Sequence, residues 1–185
     1  MDIHCLFHQN QLDYDGTQLR ELFARTMGCP AGDSAIVFRG ACHVDVAHLV
    51  DSADALAQQP IHSDDMLHVI MEFFSVDLLA TVYLQRLFMV CVLEELLGRG
   101  VPALRRGDDI FVDHRKFSVS IATASRVSTL IHVGMNISSR NTPLPTVALG
   151  DLAIEPWEFA RHVLDRFSRE VRSCWEARCK VWGVS

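Results

Sequence analysis

The sequence predicts an α+β fold with a mixed, mostly antiparallel sheet and helices packed on one of its faces. Three observations favour this class. Residues 108–137 are predicted to form three consecutive strands separated by tight turns. Residues 77–98 are rich in Ala and Leu and have no internal Gly or Pro, as is typical of a buried helix. A second helical pattern opens at Glu155-Pro156 and keeps one apolar face as far as Cys174.

The N-terminal part of the chain is predicted to contain two strands and one helix. Residues 1–8 alternate well enough for a strand. Thr17 is placed to cap a helix whose apolar residues follow at helical spacing until Gly28 stops it. Residues 34–39 predict a short buried strand that runs into residues 40–44, with a turn at Gly40-Ala41-Cys42.

The next elements lead to the main helix. Residues 51–56 can cap a short helix or turn. Residues 66–74 predict a central strand, with odd-numbered residues on one face and even-numbered residues on the other. The helix over residues 77–98 should then cross a sheet face, with Gln85 and Arg86 at its polar edge.

Lys116 opens the middle strand of the stretch 108–137. Residues 113–115 make a tight reversal, and Ser118 and Ser120 then alternate with apolar residues. A lysine at a strand start is usually a solvated charge. Over a floor of Ser118 and Ser120, its ammonium could instead meet a phosphate or a carboxylate.

Bulk composition restricts the function classes. The 185 residues, 49% of them hydrophobic, predict one domain over 1–185 with a real core. A net charge of -6 and a pI of about 5.8 argue against a protein that binds nucleic-acid backbone. Basic residues nevertheless gather near the three-strand stretch, where they are expected to attract an anionic ligand: Arg99, Arg105, Arg106, Arg115 and Lys116.

Cysteine usage and hydropathy predict a cytoplasmic protein. The six cysteines form no CxxC pair and are expected to be reduced thiols. The N-terminus lacks a signal-peptide pattern. The apolar run over residues 78–97 is interrupted by four polar or charged residues, so it indicates a buried helix and not a membrane span.

Motif residues in the last half of the chain carry a resemblance to known enzymes. Residues 106–110 read Arg-Gly-Asp-Asp-Ile, residues 115–120 read Arg-Lys-Phe-Ser-Val-Ser, and residues 130–136 read Leu-Ile-His-Val-Gly-Met-Asn. This order resembles the catalytic domain of the biotin and lipoate protein ligases, which implies a class II synthetase-like fold. In that family the motif lysine contacts the acyl carbonyl and the adenylate phosphate. Lys116 matches this lysine, and Asp109 matches the aspartate before the strand.

The chain is also similar, over most of its length, to an uncharacterised family in the same superfamily. The residues that carry this likeness are at 38–40, 65–68, 85–87 and 118–123. The second likeness implies a domain of unknown function and brings no established activity.

The leading hypothesis is a ligase or acyltransferase that handles a small carboxylic acid. The resemblance implies ATP and magnesium as cofactors, with Lys116 stabilising charge on the carbonyl oxygen and the α-phosphate. Arg39 and the basic residues would hold the anion. Of the ligases' paired arginines and glycine-rich loop, only Arg39 and Gly40 remain here. Arg39 is otherwise expected in a structural salt bridge.

Two alternatives stay open. The first is an ATP-independent acyltransferase that uses the Cys42 thiol. His43 would lie on the opposite strand face, so His68 or His132 would serve as the base. The second is a non-catalytic domain for ligand binding or subunit assembly, in which an exposed sheet edge would favour a homo-oligomer.

The remaining candidate residues each have a functional and a structural interpretation. Asp108 and Asp109 could hold a magnesium-bound phosphate or orient the lysine, or could bond backbone amides in a turn. His68 and His132 could contact a substrate, or could be core histidines satisfied by hydrogen bonds. Residues 42–48 contain a Cys, two His and an Asp, but their spacing fits no standard zinc signature, so no metal site is predicted.

Overall fold

The computed structural model describes residues 2–48, 50–52, 56, 61–142 and 144–184. The short helix or turn expected over residues 51–56 falls mostly outside them. In chain order the elements are β1 (His4–Gln11), α1 (Phe23–Thr26), β2 (Ser34–Val44), β3 (Ile61–Phe73), α2 (Leu78–Gly98), β4 (Ala103–Arg106), β5 (Asp109–Val112), β6 (Arg115–Lys116), β7 (Ser118–Ala124), β8 (Thr129–Asn136) and α3 (Pro156–Ala177).

Strands β1, β2, β3, β8 and β7 form a five-stranded sheet in that order. Only β1 and β2 pair in parallel, and the other neighbours are antiparallel. Strands β4, β5 and β6 form a separate antiparallel sheet of three strands. The expected α+β class with a mixed, mostly antiparallel sheet is confirmed, although the second sheet was not foreseen.

Helices α2 and α3 pack on one face of the five-stranded sheet, as the hydrophobic patterns predicted. Odd-numbered residues of β3, such as Leu67 and Met71, enter the core beneath them. Both helix starts are capped, because the Asp77 carboxylate accepts the backbone N–H of Ala80 and the Glu155 carboxylate accepts two backbone N–H groups of the first turn of α3. Capping by acidic side chains explains why both helices begin where the sequence indicated.

The opposite face of the sheet carries a second, smaller core. The helix predicted there from Thr17 to Gly28 is much shorter than expected. Only the four residues of α1 are helical. The backbone N–H of Leu22 donates to both oxygens of the buried Glu72 carboxylate, each at 3.0 Å, and Leu22 adopts a φ of 61°. A left-handed residue cannot continue a helix, so the chain turns until Phe23.

Strand β2 does not stop at residue 39. It continues to Val44, so the turn expected at residues 40–42 is instead a bulge within the strand, between Gly40 and Cys42. Strand β3 likewise begins earlier than expected, at Ile61. The two longer strands project beyond the rest of the sheet and help to enclose a cavity.

Phe117 divides the expected middle strand in two. Its backbone N–H donates to the carbonyl of Ile110 in the small sheet, and its carbonyl accepts the N–H of Asn136 in the large sheet. Lys116 therefore belongs to the small sheet, while Ser118 belongs to the large one. The expected reversal after β5 is present, with positive φ at Asp113 and His114.

Candidate functional site

A cavity of about 340 Å³ lies over the sheet face that the long helices leave free, and extends around the β7 edge. Its floor includes Met66 of β3, Val119 and Ile121 of β7, and His132 of β8. Parts of the segment 142–146 also line it. This size falls within the range of small-molecule pockets, which lie at about 300–1,000 Å³.

Gly134 shapes the floor of this cavity. A Cβ atom at this position would lie 2.7 Å from Cε of Met66 and 3.1 Å from Cγ2 of Val119. The missing side chain lets these two residues close over β8, so the floor is flat and apolar between Asn136 and His132.

Lys116 lines the cavity, and its ammonium nitrogen lies 3.0 Å from Oδ1 of Asp109. Two backbone hydrogen bonds hold the lysine, since its N–H donates to Pro145 and its carbonyl accepts the N–H of Val147. Burial raises the pKa of the Asp109 carboxyl, although the ammonium of Lys116 opposes this shift. The structure thus brings together the lysine and the aspartate that the motif nominated.

Asp108 also lines the cavity, but its carboxylate is bound by residues of helix α2 and strand β7. Arg86 Nη1 donates to it at 2.8 Å, Gln85 Nε2 at 3.2 Å and Ser120 Oγ at 3.1 Å. Gln85 and Arg86 were expected at a polar edge, and Asp108 is the partner that the sequence did not reveal. This network ties the helix to the wall of the cavity.

The two serines of the predicted floor have structural partners. Both line the cavity. The buried Ser118 hydroxyl accepts the backbone N–H of Ile110 at 3.2 Å, and Ser120 belongs to the Asp108 network. The expected group of Lys116, Ser118 and Ser120 is therefore assembled around one cavity.

His68 and His132 form a buried pair. His68 Nδ1 lies 3.1 Å from His132 Nε2, and His68 Nε2 lies 3.3 Å from the carbonyl oxygen of Gly40. Burial lowers the pKa of His68 to about 4 and that of His132 well below its usual value. Tyr14 stacks on His132 with ring centroids 3.9 Å apart. His132 lines the cavity, whereas His68 is fully buried behind it.

Arg39 and Gly40 do not line the cavity. The Arg39 guanidinium makes a two-bond fork with Asp65, at 2.9 and 2.6 Å, so the structural alternative for this residue is the one observed. Gly40 was expected to let backbone approach a ligand. The backbone that approaches is the protein's own, because a Cβ at Gly40 would lie 2.1 Å from the carbonyl oxygen of Leu12.

Cys42 is fully buried in the second core and does not line the cavity. Burial raises the pKa of its thiol to about 12, which disfavours the thiolate. His43 lies on the other side of the strand, with Nδ1 2.9 Å from Nδ1 of His62. The structure therefore argues against Cys42 as a nucleophile, because its thiol is buried away from the cavity and its pKa disfavours the thiolate.

The basic residues expected to attract an anion are mostly engaged elsewhere. Arg99 binds Glu95 and Glu158, and the Arg105 guanidinium donates to the carbonyl of Gly107. Within the described part of the chain, Lys116 is the member of this group that lines the cavity. The cavity wall thus carries one lysine ammonium, itself paired with Asp109, and not a cluster of basic residues.

Sequence reasoning missed several cavity residues. Tyr14 arrives from the turn after β1, and nothing in its local pattern indicated this position. Asn136 lay in the run that carries the ligase resemblance, and its side chain donates to the Phe117 carbonyl at 3.2 Å. The Ser63 hydroxyl also borders the cavity and, although sealed from solvent, makes no hydrogen bond with the described residues.

The described part of the chain offers neither a cluster of metal ligands nor a helix that could cross a membrane. No group of three or more His, Cys, Asp or Glu side chains is arranged to hold a metal ion there. Among the described helices, none is long and apolar enough to cross a membrane.

Comparison with known proteins places this geometry in context. Residues 3–182 match the model of a family described as a domain of unknown function (DUF366). An uncharacterised protein of Methanocaldococcus jannaschii is 30% identical over 172 residues, which are 90% of this chain and 75% of that protein. A protein of unknown function from Pyrococcus horikoshi superposes with a TM-score of 0.92 at 37% identity, covering 99% of this chain and 100% of that chain.

More distant structures share the fold at low identity. Biotin protein ligase from Aquifex aeolicus in complex with biotin and ATP has a TM-score of 0.61 at 16% identity, over 92% of this chain and 70% of that chain. Protein Ta0514 from T. acidophilum with bound lipoic acid has a TM-score of 0.64 at 13% identity, over 93% and 86%. The fold implied by the ligase resemblance is therefore confirmed.

Proposed function

The chain belongs to the DUF366 family, a domain of unknown function, and we propose that it binds a small carboxylic acid, or its acyl derivative, in the sheet-face cavity. The carboxylate or acyl oxygen lies against Lys116, and the body of the ligand lies on the apolar floor. The observation that carries the proposal is the position of the Lys116 ammonium beside Asp109 at a cavity with an apolar floor.

Physical chemistry supports this ligand class. One ammonium in a partly desolvated wall favours a single negative charge, since burial strengthens the attraction. Apolar surface at Met66, Val119 and Ile121 favours a hydrocarbon body. A small molecule with one acidic end and one apolar end matches both requirements.

The structural neighbours support the same class. Proteins of this fold have been solved with biotin and with lipoic acid, and each of these is a small carboxylic acid with an apolar body. In a chemical step on such a ligand, Lys116 would stabilise negative charge on the acyl oxygen. That role suits a ligase or an acyltransferase, and the binding of the acid comes first in either.

ATP and magnesium fit the described residues less well. Of the arginines and glycines implied for nucleotide binding, Arg39 is held by Asp65 and Gly40 lies beneath Leu12. A triphosphate would need several donors, and at these two positions Asp65 already binds two N–H groups of Arg39 while the Leu12 carbonyl crowds Gly40. The proposal therefore involves no step through ATP.

A thermal-shift screen tests the proposal. Biotin, lipoate, octanoate, and ATP with magnesium are added to the wild type, to Lys116→Ala and to Arg115→Ala. Arg115 is the matched control because it neighbours Lys116 but does not line the cavity. We expect at least one acid to raise the melting temperature of the wild type and of Arg115→Ala, but not of Lys116→Ala.

Two outcomes would contradict the proposal. An acid-dependent shift that survives in Lys116→Ala would place the ligand elsewhere. A shift with ATP and magnesium alone, with none from any acid, would replace the proposed ligand by a nucleotide.

A further inference from the structure

The carbonyl of Gly40 fixes the proton positions in the buried histidine pair. A carbonyl oxygen only accepts, so His68 Nε2, 3.3 Å away, carries the proton. Neutral His68 then has a lone pair on Nδ1, and His132 Nε2 donates to it across 3.1 Å. Neutral His132 has no second proton to give. Its Nδ1 is therefore a hydrogen-bond acceptor.

This acceptor borders the cavity. In the described part of the chain, the polar side-chain atoms that are both sealed from solvent and unpartnered are Ser63 Oγ and Arg166 Nε. His132 binds His68 through Nε2, which leaves Nδ1 as its second ring nitrogen. Tyr14 covers the face of the ring. His132 lines the cavity and its Nε2 is turned to His68, so Nδ1 is the ring nitrogen left to meet a ligand there.

The backbone of Lys116, in β6, lies toward one end of strand β8, whereas His132 belongs to β8 itself. Asn136 marks the Lys116 end, because it binds the carbonyl of Phe117, the residue that follows Lys116. His132 is four residues further along the strand, which corresponds to about 13 Å. Gly134 and Val119 make the surface between them apolar.

We infer that His132 forms an accepting subsite at the far end of the cavity, and that the ligand is an elongated monocarboxylic acid with an N–H or O–H donor opposite its carboxylate. This inference rests on the proposed function, because it specifies the ligand class of the same cavity. It separates a donor-bearing acid from a plain fatty acid, which would leave the acceptor unpaired.

Three matched acids test the inference by calorimetric titration: decanoate, 10-hydroxydecanoate and 10-methoxydecanoate. Their extended chains are comparable in length to the ~13 Å between Asn136 and His132 along β8. The hydroxyl can donate, the methoxy group can only accept, and the plain acid does neither. We expect the hydroxy acid to bind about fivefold or more tightly than the other two. Burial of a hydroxyl without a partner would weaken binding instead, so the order is diagnostic.

The variant His132→Phe sharpens the test. Phenylalanine keeps a flat ring for Tyr14 but removes the acceptor, so the preference for the hydroxy acid should disappear while decanoate still binds. The ranking in the wild type stands as evidence even if this variant folds poorly.

Failure of the His132 subsite and failure of the proposed function would give different results. Equal binding of the three acids, or tighter binding of decanoate, with binding lost in Lys116→Ala, would overturn the subsite and leave the proposed function standing. No binding of any acid, in this titration or in the screen above, would overturn both.

Discussion

The ammonium of Lys116 lies 3.0 Å from the carboxylate of Asp109, and both side chains line the same cavity. An incoming carboxylate must therefore compete with Asp109 for this ammonium. Burial raises the pKa of Asp109, because it makes the ionised form of this carboxyl less stable. Asp109 is thus expected to regulate how strongly Lys116 attracts an anion.

Replacing Asp109 by Asn should strengthen acid binding. The amide is nearly isosteric but uncharged, so the ligand no longer competes with a carboxylate for Lys116. We expect an increase in affinity of about three- to tenfold, since partly exposed ion pairs contribute about 1 kcal/mol. Titration calorimetry with the acid that gives the largest thermal shift measures it.

Asp113→Asn is the matched control, because its carboxylate is 73% exposed and faces Arg115 at 3.9 Å. Its affinity should equal that of the wild type. Weaker binding by Asp109→Asn would show that Asp109 contacts the ligand directly.

Acid binding should also depend on pH. As the pH falls from 7 towards the raised pKa of Asp109, this carboxyl takes up a proton and releases the ammonium of Lys116. Affinity should rise until the ligand's own carboxyl is protonated, at about pH 4–5. Titrations at several pH values measure the rise, and Asp109→Asn should abolish it. A flat profile in the wild type would contradict the competition between Asp109 and the ligand.

Folding stability should fall in mild acid because of the buried histidines. The pKa values of His68 and His132 lie below those of the unfolded chain, so the unfolded state binds more protons as the pH falls below about 6.5. His68 should cost about 2 kcal/mol by pH 5, and His132 should add to the loss. This stability is fully present above about pH 6.5 and is lost progressively towards the folded pKa of His68, about 4.

Urea unfolding at pH 7 and pH 5 measures this loss. The variant His132→Phe should lose less stability between the two pH values than the wild type. His4→Gln is the control, because His4 is exposed and should leave the pH dependence unchanged. An identical pH dependence in His132→Phe and the wild type would rule out the histidine pair as its source.

Gly40→Ala should destabilise the protein strongly. The added methyl group would lie 2.1 Å from the carbonyl oxygen of Leu12, which is backbone and cannot rotate away. We expect a loss of about 3 kcal/mol or more in the free energy of unfolding. Gly98→Ala is the control, since a Cβ there has no neighbour within 4 Å and alanine favours the helix. Comparable urea midpoints for the two variants would contradict this account.

Much of the fold could be predicted from local pattern. Helices α2 and α3 have long apolar repeats with acidic caps, and β3 and β8 have the alternation or apolar content of central strands. In these elements the local preferences and the tertiary packing agree, so the sequence alone was sufficient.

The failures in the fold came from distant partners. Leu22 leaves the helical region because its N–H meets Glu72, 50 residues away in sequence. Strand β2 continues past Gly40 because β3 pairs with it through a bulge. No local propensity encodes either contact.

The candidate site was predicted in part for the same reason. Lys116 and Asp109 lie on paired neighbouring strands, and their motif brought them to notice together. The carboxylate that binds Arg39 belongs to Asp65 on another strand. The burial of Cys42 depends on the bulge between Gly40 and Cys42. The direction of His132 towards the cavity depends on a chain of hydrogen bonds that ends at Gly40.

The division at Phe117 has a mechanical consequence. Its N–H is bonded to one sheet and its carbonyl to the other, so this residue joins the two sheets. A molecule bound at Lys116 and packed on β8 would contact both sheets at once and hold them together. Its binding should stiffen the three short strands from Ala103 to Lys116, slowing their amide hydrogen exchange without any change in shape.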